Sequence, residues 1–156
     1  MKEESTDFVL EKILNSNNFD DVSKVMNKTD AKLDKTLQDF FNEYFQANPD
    51  IVQKNIVKDS DIDKSYAYQM INGKKPNPGR DYVIALCYAA RMNLEEVNHA
   101  LIYSNNKSLH SKSMKDANLI FAFSHNKKDK RVLVSDLNLE LSERGIEPLK
   151  ISRDGV

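Results

Sequence analysis

Residues 63–80 read DKSYAYQMINGKKPNPGR, a run whose side chains suit recognition by hydrogen bonding. With 63–72 as a helix, Ala67, Met70 and Ile71 recur at i, i+3 and i+4 and face inward. The opposite surface then carries Lys64, Ser65, Tyr68, Gln69 and Asn72. A helix of about ten residues with such a face fits a DNA major groove. Gln69 can bond an adenine edge bidentately, Lys64 can reach guanine N7 or O6, and Ser65 can donate or accept at either. The phenols of Tyr66 and Tyr68 suit phosphate oxygens or a thymine methyl. Gly73 must stop the helix. Lys74 and Lys75 follow at once, and Arg80 comes after Pro76-Asn77-Pro78-Gly79, a segment that prolines hold extended, so these three cations are expected to grip the DNA backbone at a fixed distance from the groove. Gln53 and Lys54, in the first turn of the preceding helix, are placed for phosphate contact on the other side. Phosphate contacts position and base contacts specify, and this stretch carries candidates for both.

Other residue types with possible chemistry offer less. His99, His110 and His125 are far apart and have no second ligand at metal spacing. Glu95 and Glu96 sit in the first turn of a helix, where negative charge favours the positive end of the dipole. Cys87 lies in the apolar run VIALCYAA, where a thiol fills core, and a single cysteine allows no disulfide within the chain. The FF and FAF clusters also read as core. No glycine-rich phosphate loop, GxSxG or HExxH occurs. The expectation is a binding protein with no catalytic residue, metal or cofactor.

A net charge of −1 conceals an uneven distribution. Residues 1–50 hold 6 basic and 11 acidic side chains. In 51–80 the balance reverses: Lys54, Lys58, Lys64, Lys74, Lys75 and Arg80 stand against Asp59, Asp61 and Asp63. The candidate recognition stretch thus belongs to the one clearly basic segment, a modest electrostatic footprint. No run approaches the ~18 apolar residues of a membrane span, and residues 1–20 lack a signal-peptide pattern. With a single cysteine, a reducing cytoplasmic location is the default.

Periodic apolar residues predict helices throughout, with glycine and proline at the boundaries. Two short helices are expected in 5–28, the first with Ser5 or Thr6 as N-cap and Phe8, Val9, Ile13 and Leu14 inward. A third spans 35–48, with Leu37, Phe40, Phe41 and Tyr44-Phe45 at helical spacing. A fourth follows Pro49-Asp50 and buries Ile51 or Val52 with Ile56 and Val57. Ile62 falls in the turn before the 63–72 helix, where it can lock the pair at a steep angle. A core helix follows at 79–92, then one at 93–105 capped by Asn93, with Leu94, Val97, Leu101 and Ile102 on one side. The run 113–125 uses Met114, Ala117, Ile120 and Phe121. The run 132–145 is closed by Gly145 and Pro148, although its alternating Val132 and Val134 also fit a strand. The expected fold is all-α: an N-terminal helical extension at 1–34, a central domain at 35–105, and a C-terminal helical extension at 106–156 packing on it.

The stretch IVQKNIVKDSDIDKSYAYQMINGKKPNPGRDYVIALCYAARMNLEEVNHAL resembles the phage-repressor-like (Xre-type) helix-turn-helix family. The second helix with its asparagine-glycine stop and the following IALCYAARMNLEEV helix pair carry the likeness. SYAYQMINGKKPNPGRD, NLEEVNHAL, KDANLIFAF and LSERGIEPL are also similar to a group of small helix-turn-helix proteins from Gram-positive bacteria. The resemblance implies a sequence-specific regulator of transcription that binds double-stranded DNA, as a homodimer because one short helix reads few base pairs. By it, Lys64, Ser65, Tyr68 and Gln69 match positions near base edges, and Gln53, Asn72, Lys74 and Lys75 positions near the backbone. The sequence departs from the family pattern at two places. Arg91-Met92 stands where the family has glycine, and Asp59, Asp61 and Asp63 bring negative charge to the phosphate approach. The alternative use of the same scaffold is a protein–protein interaction module presenting Tyr66, Tyr68 and Lys64. The helices of 5–28 and 113–145 are the candidates for dimerisation or for a protein partner.

Overall fold

A computed structural model describes residues 35–151. The helices expected within 1–34 lie outside the described residues, as does the chain end at 152–156. Seven helices and no strand occur among the described residues. They are α1 (Leu37–Ala47), α2 (Gln53–Asp59), α3 (Lys64–Ile71), α4 (Arg80–Ala89), α5 (Leu94–Tyr103), α6 (Met114–Ser124) and α7 (Val134–Glu143).

Local chemistry sets most boundaries. Thr36 and Asp39 form a capping box that starts α1, and Asn93 and Glu96 form another at α5. Each satisfies amide groups that a first helical turn leaves without carbonyl partners. Asp63 caps α3 by accepting from the Tyr66 N–H at 3.2 Å. Gly145, at φ +72°, follows the end of α7. Val134, Leu137 and Leu141 are buried on one face of α7. No strand forms here: Val134 opens α7, and Val132 lies in the irregular segment before it.

Helix α4 is the centre of the packing. Val83 to Cys87 and Ala89 are all buried, and α2, α5 and α7 pack around it while α1 closes on α3 and α5. Phe41, Ile62, Met70, Ile84, Leu86 and Leu101 join one buried cluster. Leu119, Phe123, Leu137, Leu141, Leu149 and Ile151 belong to that same cluster. The segment 106–151 therefore shares its core with 36–105, and the two make one compact unit. Burial pushes the Cys87 thiol far above its ordinary range, with Glu96 adding to the effect, so this sulfur stays a neutral core atom.

Of the alternatives Ile51 and Val52, Ile51 is the buried one, and Val52 is the exposed N-cap of α2. Two core assignments differ from the sequence expectation. Ile102 faces solvent on α5. On α6 the buried positions are Asp116, Leu119 and Phe123, whereas Met114 is 71% and Phe121 66% exposed. Apolar residues surround this helix, so hydrophobicity alone allows more than one inward stripe. The stripe that forms is the one that brings Asp116 to Arg80.

Arg91 adopts φ +64° between α4 and α5. A left-handed backbone costs a non-glycine residue about 1–2 kcal/mol. Contacts from the C-terminal segment hold it: the Arg91 guanidinium donates to the Lys128 carbonyl at 2.8 Å, and the Lys128 ammonium donates to the Arg91 carbonyl at 3.2 Å. Lys128 also pairs with Glu96. Glycine and alanine at position 91 lose the guanidinium bond alike, so Arg91→Gly should be more stable than Arg91→Ala by about 1 kcal/mol in urea unfolding. Equal stability of the two variants would show that the left-handed backbone costs nothing here.

Candidate nucleic-acid interface

The link between α2 and α3 is built from a few specific groups. Ser60 is buried; its hydroxyl donates to the Val57 carbonyl at 2.8 Å and accepts from the Ile62 N–H at 3.2 Å. Asp61 takes φ +59°, a conformation that aspartate tolerates better than most residues. Ile62 is fully buried in the turn, as its place in the sequence predicts. On α3, Ala67, Met70 and Ile71 are buried.

The outer face of α3 then presents the remaining side chains. Lys64, Ser65 and Asn72 are exposed, and Tyr68 and Gln69 are half-buried. Gln69 and Ser65 stand one turn apart, with the amide nitrogen 3.5 Å from the hydroxyl, a weak contact that leaves the amide available. Tyr68 leans on the core cluster and offers the rest of its ring to solvent. Gln53 and Lys54 are exposed in the first turn of α2, and Lys58, which the sequence reading did not assign, is exposed in its last.

Beyond α3 the chain is fastened rather than loose. Gly73 takes φ +90°, the Asn72 side-chain oxygen accepts from the Lys74 N–H at 3.0 Å, and the Lys75 N–H returns to the Gln69 carbonyl at 3.0 Å. Both lysine side chains are exposed from this anchored backbone. The Tyr66 ring packs against Tyr82 at 4.5 Å between centroids, and the Lys75 ammonium lies over Tyr66 at 5.4 Å. Burial of this phenol, with Tyr82 beside it, raises its pKa, so it stays neutral at physiological pH. The Asn77 side chain accepts from Asn105 at 2.9 Å, and the Pro78 carbonyl accepts from Asn106 at 3.0 Å.

Arg80 departs from the expected role as a phosphate grip. Its guanidinium reaches the two carboxylate oxygens of Asp116 at 3.0 and 2.6 Å and the carbonyls of Lys107 and Ser108 at 2.9 and 3.1 Å. These contacts use all three of its nitrogens, so Arg80 ties α6 to the start of α4. The proline-rich arm delivers it inward, not to the lysine surface.

Two of the three aspartates in this region have structural partners. Asp59 is buried and receives a two-pronged pair from Arg131, at 2.7 and 2.6 Å. Asp63 serves as the α3 cap. Five lysines remain around α2 and α3: Lys54, Lys58, Lys64, Lys74 and Lys75. Among the described residues none of them is in an ion pair. The sequence reading missed Arg131, Asn105, Asn106 and Asp116. Their partners lie 28 to 72 residues away, and no local pattern announces such pairs.

Set against protein-family models, curated proteins and solved structures, the chain finds no match. No helix among the described residues is long and apolar enough to cross a membrane.

Two expectations follow from the frame of this surface. A Cβ on Gly73 would stand 2.5 Å from Gln38 Oε1, but that side chain can swing aside, whereas φ +90° cannot be relieved. Gly73→Ala therefore costs about 1–2 kcal/mol, and Gln38→Ala restores little of it in urea unfolding. The second expectation concerns acid. Burial alone would raise the Asp116 pKa, but the hydrogen bond from Arg80, the His110 N–H and the charges of both residues together lower it. A depressed folded-state pKa gives stability that is complete above the ordinary aspartate range and is lost as pH falls through the lowered value. Asp116→Asn should be less stable at pH 7 and should flatten the acid limb of a pH-stability curve. An unchanged limb would mean the pair adds no pH dependence.

Proposed function

We propose that this protein is a sequence-specific DNA-binding regulator of transcription. In this reading α2 and α3 are the helix-turn-helix of a phage-repressor-like domain. Helix α3 enters the major groove with Lys64, Ser65, Tyr68 and Gln69 towards base edges, while Gln53, Lys54, Asn72, Lys74 and Lys75 meet the backbone. Tyr66 acts by packing, holding Lys75 in place. A homodimer on a two-fold symmetric site supplies the second reading helix.

One observation carries the proposal. The eight-residue helix α3 turns a polar, hydrogen-bonding face outward, and five exposed lysines on α2, on α3 and just after it form no ion pairs among the described residues. The pairing of Asp59 with Arg131 favours DNA over a protein partner, because it offsets one of the negative charges opposing phosphate.

Selection from a random duplex library tests the reading. Enrichment of a two-fold symmetric sequence is expected, with an affinity that falls steeply between two salt concentrations. No enrichment would overturn it. On the selected site, Gln69→Ala should relax preference at one base pair by about 1–3 kcal/mol. Lys74→Ala should weaken all sequences alike and reduce the salt slope by about one. Parent-like binding by both variants would mean another surface meets the DNA.

A further inference from the structure

The proposed reading surface is bracketed by the part of the chain that follows α5. At one end Arg131, from the loop between α6 and α7, forks onto Asp59, the last residue of α2. At the other, Arg80 forks onto Asp116 of α6, while Lys115 meets Asp81 at 3.1 Å and the Lys150 N–H reaches the same carboxylate at 2.9 Å. Asn105 and Asn106 hold the arm between. Residues 59 to 81 are thus tied at both ends to segments from 105 onward.

We propose that Arg131 is a positioning residue for α3: its fork on Asp59 fixes the α2–α3 turn so that the outer face of α3 stands at the right depth and tilt for base readout. The inference rests on the DNA-binding reading above. The apolar contacts beneath α3 are non-directional and fix burial more tightly than angle. A guanidinium–carboxylate fork sets both a distance and a plane. The Asp59 side chain is 2% exposed and that of Arg131 49%. Without Arg131, a buried carboxylate has to find water, and it can do so only by moving the turn that leads into α3. The Nε and Nη2 edge of Arg131 is committed to Asp59, and the role inferred for it is orientation of the turn.

A charge-neutral double variant, Asp59→Asn with Arg131→Gln, removes the fork while leaving net charge unchanged. Titrations of the full chain with the selected duplex and with a random duplex, alongside circular-dichroism melting, read out the effect. The specific affinity should fall by about tenfold, the scale of one lost base contact. Random-duplex affinity, salt slope and helical signal should stay at parent values. Arg131→Lys, which keeps the charge but not the fork, should also lose specific affinity. Should the double variant not fold, that single variant carries the test. An unchanged ratio of specific to random affinity, equal loss of both affinities, or full activity of Arg131→Lys would overturn the inference while leaving DNA binding intact. If the parent itself selects no DNA, the reading fails and the inference fails with it.

Discussion

Helix α3 is eight residues long, well short of the ~12–15 residues at which an isolated helix becomes even marginally stable in water. Anything its outer face does therefore depends on what grips its inner face and its ends. Ala67, Met70 and Ile71 supply the inner grip by joining the cluster centred on α4. Asp63 satisfies the first turn, and Gly73 turns the chain away at the last. The short helix is a surface feature whose existence is decided by the core beneath it.

Around that constraint the rest of the chain divides its work. Helices α1, α2, α4 and α5 make the apolar bed, and the segment from 106 to 151 completes the same core while adding directional ties. Two guanidinium–carboxylate forks, Arg131 on Asp59 and Arg80 on Asp116, both involve a carboxylate only 2–3% exposed. Charges buried this deeply need their partners. Each fork thus also removes a freely exposed charge from the region. One occupies an aspartate beside the lysines, and the other is part of a set of bonds that engages all three nitrogens of Arg80.

Much of this was legible in the sequence because it was local. The Asp63 cap, the Asn93 cap, the Gly73 stop, buried Ile62 and the inward trio on α3 each follow from spacing over four or five residues. The direction of α6 was not legible, because MKDANLIFAF offers apolar residues on several sides and only the distant Arg80 selects among them. The inward course of Arg80 was hidden for the same reason: an arginine after Pro-Asn-Pro-Gly looks like a surface cation until Asp116 is placed beside it. Arg91 in a left-handed turn was not legible, because nothing in its immediate neighbours asks for that backbone. Its support by Lys128 came from 37 residues away.

The surface itself was read at the level of residue types, and geometry has refined it: four lysines of the expected set plus Lys58 remain outward, Tyr66 packs on Tyr82, and Arg80 drops out. The proposal that DNA is bound, and bound by α3, is tested most directly by titrating isotope-labelled protein with the selected duplex and following backbone amides by NMR. The largest changes should cluster at Lys64, Ser65, Tyr68 and Gln69, flanked by Gln53, Lys54, Lys74 and Lys75. Changes concentrated instead on the exposed side of α6, around Met114 and Phe121, would contradict the account.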